Sequence, residues 1–451
     1  MFYKKGMFRG NKITLMGLGL LGRGVGDAEF FAKEGAELIV TDLKTKSELK
    51  ESLDKLRKYK NIKYHLGGHN IKDFEGRDFI LKAAGVPLDS PYIKHAKDKG
   101  IPIIMSTALF ALLSPAKIIG VTGTRGKSTV TAMIYEIIRQ DKKRKGKVYL
   151  GGNVQGVATL PLLSKVKSGD MVVLELDSWQ LQGFGDLRTS PGVSVFTTFM
   201  PDHLNYYKGD LNKYFEDKAN IYRNQRGEDI FIAGEQLCSL PVNFTKKLPK
   251  GTHFVSERAL PKNVSLRIPG EHNVYNAALA FEVTRTMKVP RNTIVSALEK
   301  FRGVSGRLEK ISKIRGIEIY NDTTATTPHA TVAALEALGK MKNIALILGG
   351  TDKGIDLKVL RDPIKQSCSS VSLLKGTGTD RLLSERIIGK NINYEIFSTL
   401  EKALQNALKT VPKDGIVLFS PGFTSFGMFK NEYDRGEKFV DLVKNECLKR
   451  K

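Results

Sequence analysis

Eight residues at positions 122–129, TGTRGKST, have the types and spacing to hold a phosphate chain. An apolar run, KIIGV, precedes them and a helical pattern follows. Gly123 and Gly126 let backbone N–H groups turn inward onto phosphate oxygens, and the start of the following helix adds partial positive charge. Lys127 can reach the β- and γ-phosphates, while the Ser128 hydroxyl can ligate Mg²⁺. Thr124, Arg125 and Thr129 complete the loop around the phosphates. The common form GxxxxGK[ST] would place glycine at 121, where this chain has Val121. A second glycine turn, GLGLLG at 17–22, satisfies GxGxxG, and Asp42 ends the next strand-like run as a ribose-binding acid would. By itself that turn suits a nicotinamide dinucleotide as well as a uridine nucleotide.

Both turns need strands and helices to hold them. Apolar strand-like runs alternate with helical patterns along the chain, which predicts an α/β fold with largely parallel sheets. The 451 residues suffice for two to four domains, and three blocks separate. Block 1–114 carries the strands KITLMGLG, AELIVTD, DFILKAAGV and IPIIMS. Block 115–303 carries KIIGVTG, MVVLELDSW and VSVFTTFMPDH, with a helix expected from near Thr129. Block 304–451 carries IEIYND, NIALILGGTDKG, VSLLKGTGTD and GIVLFSPGFTS. Most of these strands end in small or polar residues, where open α/β sheets gather their ligands.

Composition narrows the class. With 41% hydrophobic and 26% charged residues and no apolar run of spanning length, the chain reads as globular rather than membrane-inserted. The basic-then-apolar start MFYKKGMFRGNKITLMGLGLLG is broken by glycines and lacks a small-residue cleavage pattern, so it predicts a first strand in a cytoplasmic protein. Three cysteines without a CxxC suit a reducing compartment and offer no metal site. The net charge of +25 would suit a nucleic-acid-binding ATPase. The basic residues are scattered, however, which favours solvated helix faces and makes nucleic acid a secondary reading.

The variant TGTxGKST is the form found in Mur ligases and folylpolyglutamate synthases, and the whole chain resembles a Mur ligase. That resemblance implies three domains: an N-terminal Rossmann-like UDP-binding domain, a central P-loop ATPase domain and a C-terminal Rossmann-like domain. It implies a ligase forming carbon–nitrogen bonds through an acyl-phosphate, closest to the branch that adds glutamate to UDP-N-acetylmuramoyl-L-alanine in peptidoglycan synthesis. VVLELDSWQLQ resembles ELSSFQL and TTFMPDHLNYY resembles NxxxDHLDxY, which implies Glu175 and His203 as ligands of two Mg²⁺ ions with Ser128. Thr198 and Asn205 depart from the second pattern. KYFEDKANIY places Lys218 where the family carbamylates a lysine, a fourth metal ligand. Lys127, His203 and Lys218 are thus the implied catalytic residues.

GEHNVYNAALA resembles GxHNxxNALAA and implies that Asn273 and Asn276 face ATP. FRGVSGRLE and YNDTTATTP supply Arg307 and Asp322, implied to hold nucleotide when the C-terminal domain closes. Thr324 stands where the family's NDSKATN has lysine. GLGLLGRGVG resembles GLGxTGxS, which implies Gly19, Leu20 and Leu21 near a pyrophosphate and Asp42 near the uridine. GGNVQG matches GGNIG, so Asn153 is implied to contact the muramoyl group. LGGTDKGID and SPGFTSFGMFKNEYDRGEKF imply that Lys353 and Ser425 meet the incoming glutamate. Gly427 and Glu432 depart from that last pattern, so D-glutamate, L-glutamate or another pocket all remain open there. The resemblance implies a monomer. Alternatives are a folylpolyglutamate synthase, which lacks the N-terminal domain before the loop, and a dehydrogenase, which leaves TGTRGKST unexplained.

Overall fold

The structure, a computed structural model, describes residues 2–449 except 21, 88, 204, 205, 340, 341 and 390. Three open sheets follow in chain order. The first is built from β1 (Lys12–Met16), β2 (Glu37–Asp42), β3 (Ile62–Leu66), β4 (Phe79–Lys82) and β5 (Ile103–Ile104), ordered β3-β2-β1-β4-β5. The second holds β6 (Lys117–Thr122), β7 (Val148–Gly152), β8 (Met171–Glu175), β9 (Val193–Phe196), β10 (Ile230–Gly234) and β11 (His253–Val255), ordered β11-β10-β9-β6-β8-β7. All described pairs in these two sheets are parallel. The third holds β12 (Glu309–Ile314), β13 (Ile317–Asn321), β14 (Ile344–Gly349), β15 (Cys368–Leu374), β16 (Asn393–Phe397) and β17 (Ile416–Phe419), ordered β12-β13-β17-β14-β15-β16, with β12 antiparallel to β13.

Inner strands of a sheet covered on both faces are predominantly apolar, and the polar exceptions here include Ser194 in β9 and Lys82 at the end of β4. β4 is buried at every residue, as are β9 and β14. Along β14 the side chains alternate between two cores. Leu346 and Leu348 join Leu373 and Phe423 on one face, while Ala345 and Ile347 join Phe419 and Phe439 on the other.

The chain divides into two compact units, residues 1–264 with 275–298, and residues 265–274 with 299–451. The first unit contains the first two sheets, which share one core that includes Phe31, Phe110, Leu160, Leu174 and Phe196. The second contains the third sheet. No described helix is long and apolar enough to cross a membrane.

Several expected boundaries shift, among them VSVFTTFMPDH, whose strand ends at Phe196, KITLMGLG, which ends at Met16, and DFILKAAGV, which ends at Lys82. The helix after the phosphate loop spans Lys127–Arg139 and so begins two residues before Thr129, because Gly126 at φ 84° already turns the chain into it. The strand expected over MVVLELDSW stops at Glu175. Asp177 then caps the helix Ser178–Asp186, its carboxylate accepting from Gln180 N at 2.7 Å while the Gln180 side chain accepts from Asp177 N.

Candidate active site

The loop 123–126 is clamped by two threonines that leave β9. Thr197 Oγ1 donates to the Arg125 carbonyl at 2.5 Å, and Thr198 Oγ1 accepts from Arg125 N at 2.9 Å. The Thr198 carbonyl accepts from Thr124 N at 2.7 Å. Thr198 is therefore more than a departure from an asparagine pattern; it fixes the loop. Thr124 points its hydroxyl toward Met200 N and the Tyr214 hydroxyl, at 3.0 and 3.3 Å, so its contribution to a phosphate site is through its backbone. Ser128 and Thr129 lie in the first turn of the helix Lys127–Arg139. The Asn276 side-chain oxygen lies 2.4 Å from where a Cβ on Gly126 would sit, which packs Asn276 onto the loop. Asn273, on the same helix, donates to the Pro269 carbonyl at 2.6 Å.

Two lysines meet at one carbonyl. Lys127 Nζ donates to Gly123 O at 3.0 Å and Lys218 Nζ donates to the same oxygen at 2.9 Å. Lys218 is 1% exposed, and its amine lies over the Tyr214 ring. Burial, reinforced by the Lys127 charge, holds its pKa well below the ordinary lysine range. The shift is toward the uncharged, nucleophilic amine.

Around them stand the remaining candidates. Glu175, buried at the end of β8, pairs in register with Val121, one strand residue before the loop. Its carbonyl accepts from Asn153 N at 2.7 Å, bringing Asn153 to the same edge. His203, in a left-handed conformation at φ 53°, lies against Trp179 and Tyr214. Desolvation, with Lys218 and Lys127 adding to it, lowers its pKa against the pull of Asp202, so the ring favours its neutral, metal-binding form. Asp202 is a carboxylate that the sequence reading passed over. Against desolvation, the Arg125 and Lys127 charges and a hydrogen bond of 2.8 Å from the His203 backbone N–H hold its pKa low. Its signal was its place directly before His203 in the same motif.

Among the described residues no three His, Cys, Asp or Glu side chains converge as a ready cation site. The side chains available are a hydroxyl, a carboxylate, an imidazole and a buried amine. The oxygen and imidazole donors suit a hard cation that also takes phosphate oxygens.

At the other glycine turn, Asp42 Oδ2 accepts from Gly19 N at 2.9 Å and Oδ1 from Lys44 N at 2.9 Å. Asp42 therefore shapes the turn itself, and Gly19 at φ 65° follows from it. Leu20 is exposed, and Leu21 lies outside the described residues.

In the second unit, Asp322 is buried and accepts from Leu308 N at 3.0 Å and Ser420 Oγ at 2.8 Å. Burial raises its carboxyl to about 7, with Ser420, Leu308 and then the Arg307 charge opposing. Arg307 itself is exposed. Thr324 Oγ1 donates to Gly306 O at 2.9 Å, so the residue replacing the family lysine is a brace for the Arg307 turn. The loops carrying Lys353 and Ser425 are zipped together by Thr351 and Thr424, which exchange backbone hydrogen bonds of 3.0 and 3.1 Å. Lys353 is exposed and Ser425 is buried.

Arg435, also not singled out in the sequence, ties these pieces. It is 1% exposed and donates to Thr323 O at 2.7 Å and Phe423 O at 3.1 Å, with the Glu432 charge nearby. The Glu432 charge thus acts through space on a buried cation. Replacing Arg435 with Leu should strand both carbonyls and cost about 2–4 kcal/mol of stability. Thermal unfolding would register this as a lower Tm; an unchanged Tm would deny Arg435 this role.

Comparison with known proteins meets this geometry from outside. The family description "Mur ligase MurD-like, N-terminal domain" matches residues 11–105, "Mur ligase middle domain" 121–239 and "Mur ligase, glutamate ligase domain" 306–423. The UDP-N-acetylmuramoylalanine–D-glutamate ligase of Borreliella burgdorferi (strain B31) is 33% identical, covering 96% of this chain and 97% of that protein. The chain belongs to the Mur ligase family. A Roseiflexus ligase of the same name is 32% identical, covering 97% of this chain and 99% of its own. Among solved Mur ligases, UDP-N-acetylmuramate–alanine ligase from Thermotoga maritima superposes with a TM-score of 0.62 at 20% identity, over 97% of this chain and 100% of that one. MurF from Thermotoga maritima, in complex with ADP, gives 0.58 at 18% identity over the whole of both chains. At those identities the two structures support the three-domain Mur ligase fold alone.

Proposed function

We propose that this Mur ligase joins D-glutamate to UDP-N-acetylmuramoyl-L-alanine at the expense of ATP, in the cytoplasmic stage of peptidoglycan synthesis and as a monomer. Its similarity, from end to end, to ligases named for that reaction carries the reading. The division of labour follows the three blocks: 1–114 for the UDP-substrate, 115–303 for ATP and 304–451 for glutamate.

The alanyl carboxylate attacks the γ-phosphorus of ATP, ADP leaves, and an acyl-phosphate remains. The glutamate amine then attacks the acyl carbon, and phosphate departs as the amide forms. Lys127 would leave the Gly123 carbonyl for the phosphate oxygens, where its charge offsets the negative charge that builds up. Gly123, Thr124, Arg125, Gly126 and Thr129 would line the phosphates, with Asn273, Asn276, Arg307 and Asp322 around the rest of the nucleotide. The neutral amine of Lys218 adds to CO₂, forming an N–C bond and releasing a proton. The resulting anion would be attracted to the Lys127 ammonium, to which the neutral amine offers no charge. Ser128, Glu175, His203 and that carbamate would hold two Mg²⁺ ions, whose chemistry is to neutralise phosphate oxygens. Gly19, Leu20, Leu21, Asp42 and Asn153 would bind the UDP-sugar peptide. Lys353 and Ser425 would hold the glutamate carboxylates.

Phosphate release tests this directly. With ATP and UDP-N-acetylmuramoyl-L-alanine present, D-glutamate should stimulate release and L-glutamate should not. Equal stimulation by L-glutamate would reverse the stereochemical part, and no stimulation by any amino acid would end the assignment.

A further inference from the structure

The order β3-β2-β1-β4-β5 puts a reversal of connection between β1 and β4, and open α/β sheets bind ligands in the crevice beyond such a pair. β1 runs into the glycine turn. β4 ends on Lys82, which pairs in register with Met16, the last residue of β1. The Lys82 side chain is 2% exposed and lines a cavity of about 310 Å³ between the first two sheets, walled also by Gly17, Gly19, Arg23, Asp27 and Gln180.

The partners of this ammonium are the unusual part. It donates to Val86 O at 2.7 Å and Ala83 O at 3.3 Å, and among the described residues it forms no ion pair. Asp186, Asp177 and Asp217 act on it only through space, and Lys97 opposes them. A cation withdrawn from water without a counter-charge is costly unless something supplies one. Two features of the cavity wall favour an anion. The 12-residue helix Arg23–Glu34 begins at its wall, and Arg23 Nε is buried there with no hydrogen-bond partner. One acid shares the wall. Burial raises Asp27 to about 7, against its bond with Ser106 and the Arg23 charge, so it is only partly ionised at neutral pH.

Resting on the UDP-substrate reading above, we propose that Lys82 binds the diphosphate of the nucleotide substrate, its ammonium turning from backbone carbonyls to phosphate oxygens. The sugar peptide would then be anchored by a charge from β4 as well as by the glycine turn from β1.

The test compares binding of uridine, UDP and UDP-N-acetylmuramoyl-L-alanine to the full chain by calorimetry. Lys82→Met should weaken UDP and the UDP-sugar peptide by about tenfold or more while leaving uridine unchanged, because a charge-assisted bond to phosphate is lost. Lys82→Arg should restore most of the difference. In steady state the KM for the UDP-substrate should rise more than kcat falls. A pH series on the unaltered residue gives a second readout. Burial lowers Lys82 to about 8, so UDP affinity should fall between pH 7 and 9 in an Asp27→Asn background, where the cavity acid no longer titrates. Equal weakening of uridine and UDP, or UDP affinity that ignores both Lys82→Met and pH, would overturn the proposal. Wild-type protein that binds neither UDP nor the UDP-sugar peptide would overturn the functional reading beneath it as well.

Discussion

Lys218→Ala should lower turnover by about 10²–10³-fold, the size seen when one preorganised charge stabiliser is removed from a transition state. The side chain is buried and its amine bonds the Gly123 carbonyl, so the fold should lose about 1–3 kcal/mol as well. The diagnostic part is rescue. Formate or acetate, small enough for the vacated space, should restore part of the lost rate by standing in for the carbamate. Turnover measured with and without these carboxylates separates the two effects. Wild-type turnover in the variant would remove Lys218 from the mechanism. A slow variant that no carboxylate improves would reduce Lys218 to a packing role.

Gly123→Ala should be comparably severe, for a reason visible only in three dimensions. Gly123 has φ 146°, and a Cβ there would stand 2.0 Å from Thr197 Oγ1 and 2.9 Å from Thr198 N. Thr197 is wholly buried and its hydroxyl holds the Arg125 carbonyl, so it has nowhere to move without releasing the loop. Overpacking costs about 1–3 kcal/mol and backbone strain about as much again, so a combined loss of about 3 kcal/mol is expected. Displaced loop amides should cut turnover by about 10²-fold. The sharp readout is thermal unfolding with and without Mg·ATP: the wild type should gain Tm from the nucleotide and the variant should gain little. Gly19→Ala is a useful contrast, because nothing lies within 4 Å of a Cβ there and only its φ of 65° resists the change. A Gly123→Ala protein stabilised by ATP like the wild type would contradict the clamp described here.

The inner strands were legible because a parallel strand covered on both faces has to be a continuous apolar run. The stretches IIGV within β6, IVLF and IALILG all satisfy that. Several edge strands escape the same reading, although β5 was read from IPIIMS. β3, with sequence IKYHL, shows a burial pattern with one buried residue, and β16, NYEIF, has none. The antiparallel β12 is likewise mostly unburied. The apolar β10, IFIAG, is an inner strand that the reading simply passed over.

The site divides the same way. Gly123, Gly126, Lys127 and Ser128 announce themselves through local spacing. Lys218 is unremarkable in sequence, one more helix lysine among many; only the resemblance picked it out, and its burial beside Lys127 supplies the physical reason. Asp202 and Arg435 sat inside recognised motifs without being singled out, and Lys82 acquires meaning only from long-range packing. Thr198 and Thr324 looked like defects against the family motifs. Each is instead a hydroxyl spent on holding a loop carbonyl, Arg125 O in one case and Gly306 O in the other.

The path of one oxygen atom tests the proposed chemistry most directly. UDP-N-acetylmuramoyl-L-alanine labelled with ¹⁸O in the alanyl carboxylate should be turned over with unlabelled ATP and D-glutamate, and the released phosphate examined by mass spectrometry. Attack of the carboxylate on the γ-phosphorus places one labelled oxygen in each phosphate formed. Unlabelled phosphate, released at the same rate as the dipeptide product, would mean that the carboxyl group is never phosphorylated, and the mechanism proposed for this protein would be wrong.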